Sequence, residues 1–124
     1  MGDIKRAAKY YEMVVSEQLA DNVEVGRMYV LAGDVQVMRH NFDEALKNYE
    51  ISLEIYSMST TNECIADVYR KIGHLKHLQL DYESTVFYCN KALKNYMLQP
   101  QSDTSNSSIC LTIYMLGDAL RHLK

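Results

Sequence analysis

Proline is almost missing from this sequence and glycine is scarce: Pro100 is the one proline, and there are five glycines among 124 residues. So few chain breakers argue against a turn-rich β fold and leave long helices unobstructed. A basic excess is missing as well. Thirteen Lys and Arg stand against sixteen Asp and Glu, a formal charge of −3. Phosphate neutralisation supplies most of the affinity for nucleic acid, so no nucleic-acid partner is expected. No window approaches the roughly 18 continuous apolar residues of a membrane span, and the opening Met-Gly-Asp-Ile-Lys-Arg carries no apolar signal core. Arg6 stands where a myristoylation motif needs Ser or Thr. Membrane attachment is therefore not expected. The cysteines, Cys64, Cys89 and Cys110, are odd in number and form no C-x-x-C pair. That pattern points to reduced thiols in a cytoplasmic or nuclear protein rather than a disulfide framework.

What the sequence does contain is helical periodicity. Ala7, Ala8, Tyr11, Val14 and Val15 fall on one helix face, and Leu46, Tyr49, Leu53 and Tyr56 on another. Asn41 stands three residues before Glu44, and Thr60 three before Glu63, the spacing of a capping box. Asp21, Asp81 and the serines before Ile109 are further helix starts. The spacing predicts six helices, near 3–20, 22–39, 42–58, 61–79, 82–98 and 107–123, with a polar linker from Ser102 to Ser108.

The helices repeat. Tyr29-Val-Leu-Ala-Gly33, Tyr69-Arg-Lys-Ile-Gly73 and Ile113-Tyr-Met-Leu-Gly117 each place a glycine four residues after a large apolar side chain. A glycine inside a helix costs roughly 1 kcal/mol relative to alanine, so three in register imply a neighbouring helix packed close to the backbone. The segment from Asn41 to Leu53 aligns with that from Leu80 to Leu93, and the opening residues follow the same pattern.

This repeat resembles the tetratricopeptide family across the whole chain, through Gly33, Phe42, Ala45, Tyr49 and Leu53 in one unit and Gly73, Tyr82, Ala92 and Leu93 in the next. Ala32, Gln36, Lys76, Thr85 and Cys89 depart from the family pattern, and the glycines recur after forty and then forty-four residues. That exceeds the usual period of about 34 and is similar to the long repeats of kinesin light chains and Pins-like scaffolds. The resemblance implies an all-α, right-handed superhelical stack of antiparallel helix pairs, an α-solenoid. It divides the chain into a half repeat at 2–20, repeats at 22–58 and 61–98 and a half repeat at 107–124, as expected of a fragment of a longer array.

The resemblance also implies a function. The first helix of each pair in this family lines a concave groove that holds a peptide or protein segment. Carried onto this chain, the groove positions are Arg27, Val30, Asp34, Val37 and Met38, then Asp67, Arg70, His74, His77 and Leu78, then Leu111, Tyr114, Asp118, Arg121 and His122. Asp34, His74 and Asp118 would form one row, and Asp34 and Asp118 would favour the charged form of the His74 and His77 pair. The mixture of charges and apolar spots suits a partner with basic and apolar anchors. The family's carboxylate clamp of Lys and Asn is absent, because Val30 and Asp34 occupy those places. His74 and His77 stand at a chelating interval, but no further ligands are evident, so neither a metal nor another cofactor is expected. No nucleophile, phosphate-loop or carboxylate-pair motif suggests an enzyme. The alternative function is structural self-assembly, in which the stack's open ends join neighbours through Tyr10, Tyr11, Val14 and Val15 at the front and Leu116, Leu120 and Leu123 at the back.

Overall fold

A computed structural model describes residues 4–9, 22–58, 62–98 and 103–124 of the chain. Among the described residues the fold is all-α, with six helices: α1 over residues 4–9, α2 (Asn22–Met38), α3 (Phe42–Ser57), α4 (Asn62–Leu78), α5 (Tyr82–Tyr96) and α6 (Asp103–His122). Helix α6 starts four residues before the expected boundary. Asp103 to Ser107 are helical, because short polar residues fit a first helical turn, where the backbone N–H groups lack intrahelical partners. Tyr10, Tyr11, Val14, Val15, Asp21 and Thr60 lie outside the described residues.

The forty-residue repeat extends to individual hydrogen bonds. In the α2–α3 turn, Arg39 N donates to Val35 O and Gln36 O, His40 N to Val37 O and Asn41 N to Gln36 O; the same four bonds recur forty residues later from Gln79, Leu80 and Asp81. His40 and Leu80 both adopt φ 62°, the left-handed conformation that closes a helix C-terminus. Glycine normally takes that position at no steric cost, whereas here a histidine and a leucine do. The caps diverge. Asp81 accepts from Ser84 Oγ at 2.8 Å and from Ser84 N at 3.2 Å, and these bonds, the hydroxyl's foremost, hold its carboxyl below the usual range. Asn41 makes no side-chain cap and instead donates to Gln36 Oε1 at 3.0 Å, so the expected capping box at Asn41 does not form.

The α2–α3 hairpin closes by laying large side chains onto small ones. A Cβ added at Gly33 would lie 2.5 Å from the Tyr49 ring, and one at Gly26 equally close to the Tyr56 ring. The second hairpin is looser. Its Gly73 faces Cys89, whose Sγ lies 3.4 Å from the added Cβ position. Cys89 is fully buried, which pushes its thiol up to about 11. Gly117 breaks the pattern, since nothing lies within 4 Å of its added Cβ. A packed neighbour therefore explains two of the three in-register glycines.

Among the described residues the core comprises two clusters, and α4 contributes to both. Ala45, Tyr49 and Tyr56 of α3 meet Val68, Ile72 and Leu75 of α4, and Ala66 of α4 meets Ala92 and Tyr96 of α5 and Ile109 of α6. Buried hydroxyls are satisfied within their own helices: Ser52, Thr85 and Thr112 donate to the carbonyls of Tyr49, Asp81 and Ser108. Helix α4 touches α3, α5 and α6.

Candidate functional site

Helices α4 and α6 leave a cleft of about 550 Å³ between them, lined by Arg70, His74, His77, Leu78, Leu111, Tyr114 and Met115. The spacing explains the lining. Positions 70, 74, 77 and 78 recur at steps of three and four on α4, as 111, 114 and 115 do on α6. Val68, Ile72 and Leu75 point into the core, which turns the Arg70 face outward. Ile109, Thr112, Met115 and Ala119 are the buried stripe of α6, so Leu111 and Tyr114 flank it on the cleft side. Leu111 is 59% exposed and Tyr114 76%.

Six of the fifteen groove positions carried over from the family therefore line one cleft: Arg70, His74, His77, Leu78, Leu111 and Tyr114. Met115 was missed, although its place four residues after Leu111 on the same face was available as a signal. The α2 positions lie apart from this cleft. Val30 and Val37 pack against the core, Met38 is exposed, and Arg27 forms a loose, exposed ion pair with Glu24 at 3.8 Å.

The acidic groove positions hold the helices together. Tyr49 Oη donates to Asp34 Oδ1 at 2.6 Å, and Lys71 Nζ reaches the same carboxylate at 3.0 Å, so Asp34 joins α2, α3 and α4. Asp67 accepts from Tyr96 Oη, which in turn accepts from Arg70 Nε at 3.2 Å. Asp118 meets His77 Nε2 at 2.7 Å across the cleft and pairs with Arg121 on its own helix. These contacts hold the Asp118 carboxyl below the usual range, the histidine contact foremost. A buried tyrosine hydroxyl needs a partner, and in both hairpins a carboxylate from the first helix supplies it.

The expected row of Asp34, His74 and Asp118 does not form. His77 is the residue that meets Asp118. Partial burial lowers the His74 pKa, and His77, Arg70 and Lys71 push it further down, outweighing Asp34. The expected increase in proton affinity at His74 is thus reversed. His122 stacks on Tyr82 at 4.4 Å between ring centres, and its Nδ1 donates to the Asp118 carbonyl at 2.8 Å.

Chemically, the cleft combines an apolar floor with a rim of nitrogen donors, and its nearest carboxylates are already occupied. Among the described residues no three His, Cys, Asp or Glu side chains are grouped to hold a metal ion, and no helix is long and apolar enough to cross a membrane. Cys64, Cys89 and Cys110 are all free. Compared with models of protein families, with curated proteins and with solved structures, the chain matches none.

Proposed function

We propose that this chain is a non-enzymatic protein-interaction module whose α4–α6 cleft receives an apolar segment of a partner protein. The observation that carries this reading is the cleft itself, in which Leu78, Leu111 and Tyr114 stand exposed around a 550 Å³ recess. Contiguous apolar surface of this kind on a folded domain generally marks a contact site. Because Asp34, Asp67 and Asp118 are engaged between helices, a basic anchor would find no free carboxylate there. The partner segment is therefore apolar and near neutral, in extended or helical form. Repeated hairpins with identical turns support a tetratricopeptide-like right-handed superhelix acting as a scaffold. Three free thiols fit a cytoplasmic or nuclear setting.

Selecting binders from a random peptide library tests this reading. Selected peptides should be rich in apolar residues, and Leu111→Glu should weaken their binding at least tenfold while the helical circular-dichroism signal is unchanged. Binding unaffected by Leu111→Glu would rule the cleft out.

One observation favours the alternative of self-assembly. On the other side of α6's buried stripe, Ile113 and Leu120 are about half exposed and Gly117 lies open. A solution mass above the monomer, returned to monomer by Leu120→Glu, would support that reading instead.

A further inference from the structure

A second recess, of about 470 Å³, lies between α4 and α5 and shares no lining residue with the cleft. Its walls are Tyr69, Phe87 and Leu98, and its donors are Asn90, Lys91, Lys94 and Asn95. Along α5 these positions advance by three and four, so they form one stripe. No carboxylate lines it.

Two features separate this stripe from an ordinary solvated helix face. The first is order. Lys91 Nζ lies 5.1 Å from the centre of the Phe87 ring and 5.5 Å from that of Tyr69, an arrangement in which the ring faces attract the ammonium. Tyr88 stacks on Tyr69 and meets Phe87 edge-on, which fixes the rings that hold the lysine. A cation positioned in advance loses less freedom when an anion binds. The second is charge. The protein has three more acidic than basic residues, and Arg27, Lys47, Arg70, Lys71 and Arg121 all have carboxylate partners. Among the described residues neither Lys91 nor Lys94 has one, nor do Lys5, Arg6, Lys9, Arg39, Lys76 and Lys124; what marks Lys91 and Lys94 is that both line one recess whose walls hold no carboxylate. Phe87 meanwhile remains 55% exposed and Leu98 62%.

We infer that this recess is a second docking site, and that its occupant is an acidic peptide segment bearing an apolar side chain. Carboxylates three or four residues apart would meet Lys91 and Lys94, and the apolar side chain would cover Phe87 and Leu98. Two lysines on an acidic protein are too few to hold a phosphate backbone, which is why a carboxylate-bearing peptide is the occupant. The site is independent of the cleft, so the protein would bind two partner segments of different chemistry at once.

The test uses the full chain and a fluorescein-labelled peptide of four glutamates flanking a phenylalanine, followed by fluorescence anisotropy. Saturable binding is expected, weakened at least tenfold by Lys91→Gln with Lys94→Gln and largely retained by Lys91→Arg. It should weaken as salt rises and be unchanged by the cleft variant Leu111→Glu. A peptide with lysines in place of the glutamates should not bind. Absence of saturable binding up to millimolar protein, or binding indifferent to both glutamine substitutions, would overturn the inference.

Discussion

Tyr49 and Asp34 are joined by a 2.6 Å hydrogen bond between the two helices of one hairpin, the hydroxyl donating to the carboxylate. Tyr49 is 2% exposed, so its hydroxyl cannot turn to water if the carboxylate is removed. Burial, reinforced by Asp34, raises the Tyr49 pKa and keeps the phenol protonated. Asp34→Ala should destabilise the fold by about 1–3 kcal/mol, the cost of an unsatisfied buried polar group. Adding Tyr49→Phe should recover part of that loss. Urea unfolding of the two single variants and the double variant measures the coupling; strictly additive effects would count against it.

The glycine contacts predict opposite signs for one substitution at two equivalent positions. Gly33→Ala places a methyl 2.5 Å from the Tyr49 ring and should cost about 1–3 kcal/mol through overpacking. Gly73→Ala places it at an ordinary 3.4 Å from Cys89 Sγ. The gain in helix propensity should then dominate, stabilising by up to about 1 kcal/mol. Thermal unfolding midpoints should move in opposite directions, and a shift of the same sign would show that the packing difference is not real.

Leu80 adopts φ 62° at the end of α4. A leucine there carries a steric cost of about 1–2 kcal/mol that glycine escapes, offset in part by the greater freedom of glycine in the unfolded chain. Leu80→Gly should accordingly stabilise by about 0.5–1 kcal/mol. Denaturant midpoints test this, and a destabilised variant would mean that the leucine side chain contributes more than its backbone costs.

The altered environment of His74 sets a pH dependence. Its pKa is lowered in the folded state, first by burial and then by His77, Arg70 and Lys71. The unfolded chain therefore binds the proton first, and this residue's contribution to stability falls as pH drops below about 6.5. In an NMR titration, the His74 ring should change its shift with a midpoint below 6.5. A midpoint above that value would restore the charge row expected from sequence.

Much of this architecture was legible in the residues. The forty-residue step from Gly33 to Gly73 proved to be a structural period, because identical turns recur at that spacing. Six of the cleft-lining positions of α4 and α6 were among those implied by the tetratricopeptide resemblance. Three things were not legible. The acids at 34, 67 and 118 read as groove charges, because the tyrosines that engage 34 and 67 belong to other helices and their register across the hairpin is not written locally. His77, three residues beyond His74 on α4, is the partner of Asp118, because the register between α4 and α6, which decides which imidazole reaches the carboxylate, is set by packing and is not written locally. The lysine-aromatic recess was missed altogether, since Tyr69 lies 22 residues before Lys91 and only packing brings them together.

The central claim is that the α4–α6 cleft holds an apolar partner segment. A ¹H–¹⁵N NMR titration of the chain with a library-selected apolar peptide tests it most directly. Saturable shift changes should concentrate at Arg70, His74, Leu111, Tyr114 and Met115 and be lost in Leu111→Glu. Changes confined to Ile113, Gly117 and Leu120, or to Tyr69, Phe87 and Lys91, would contradict it.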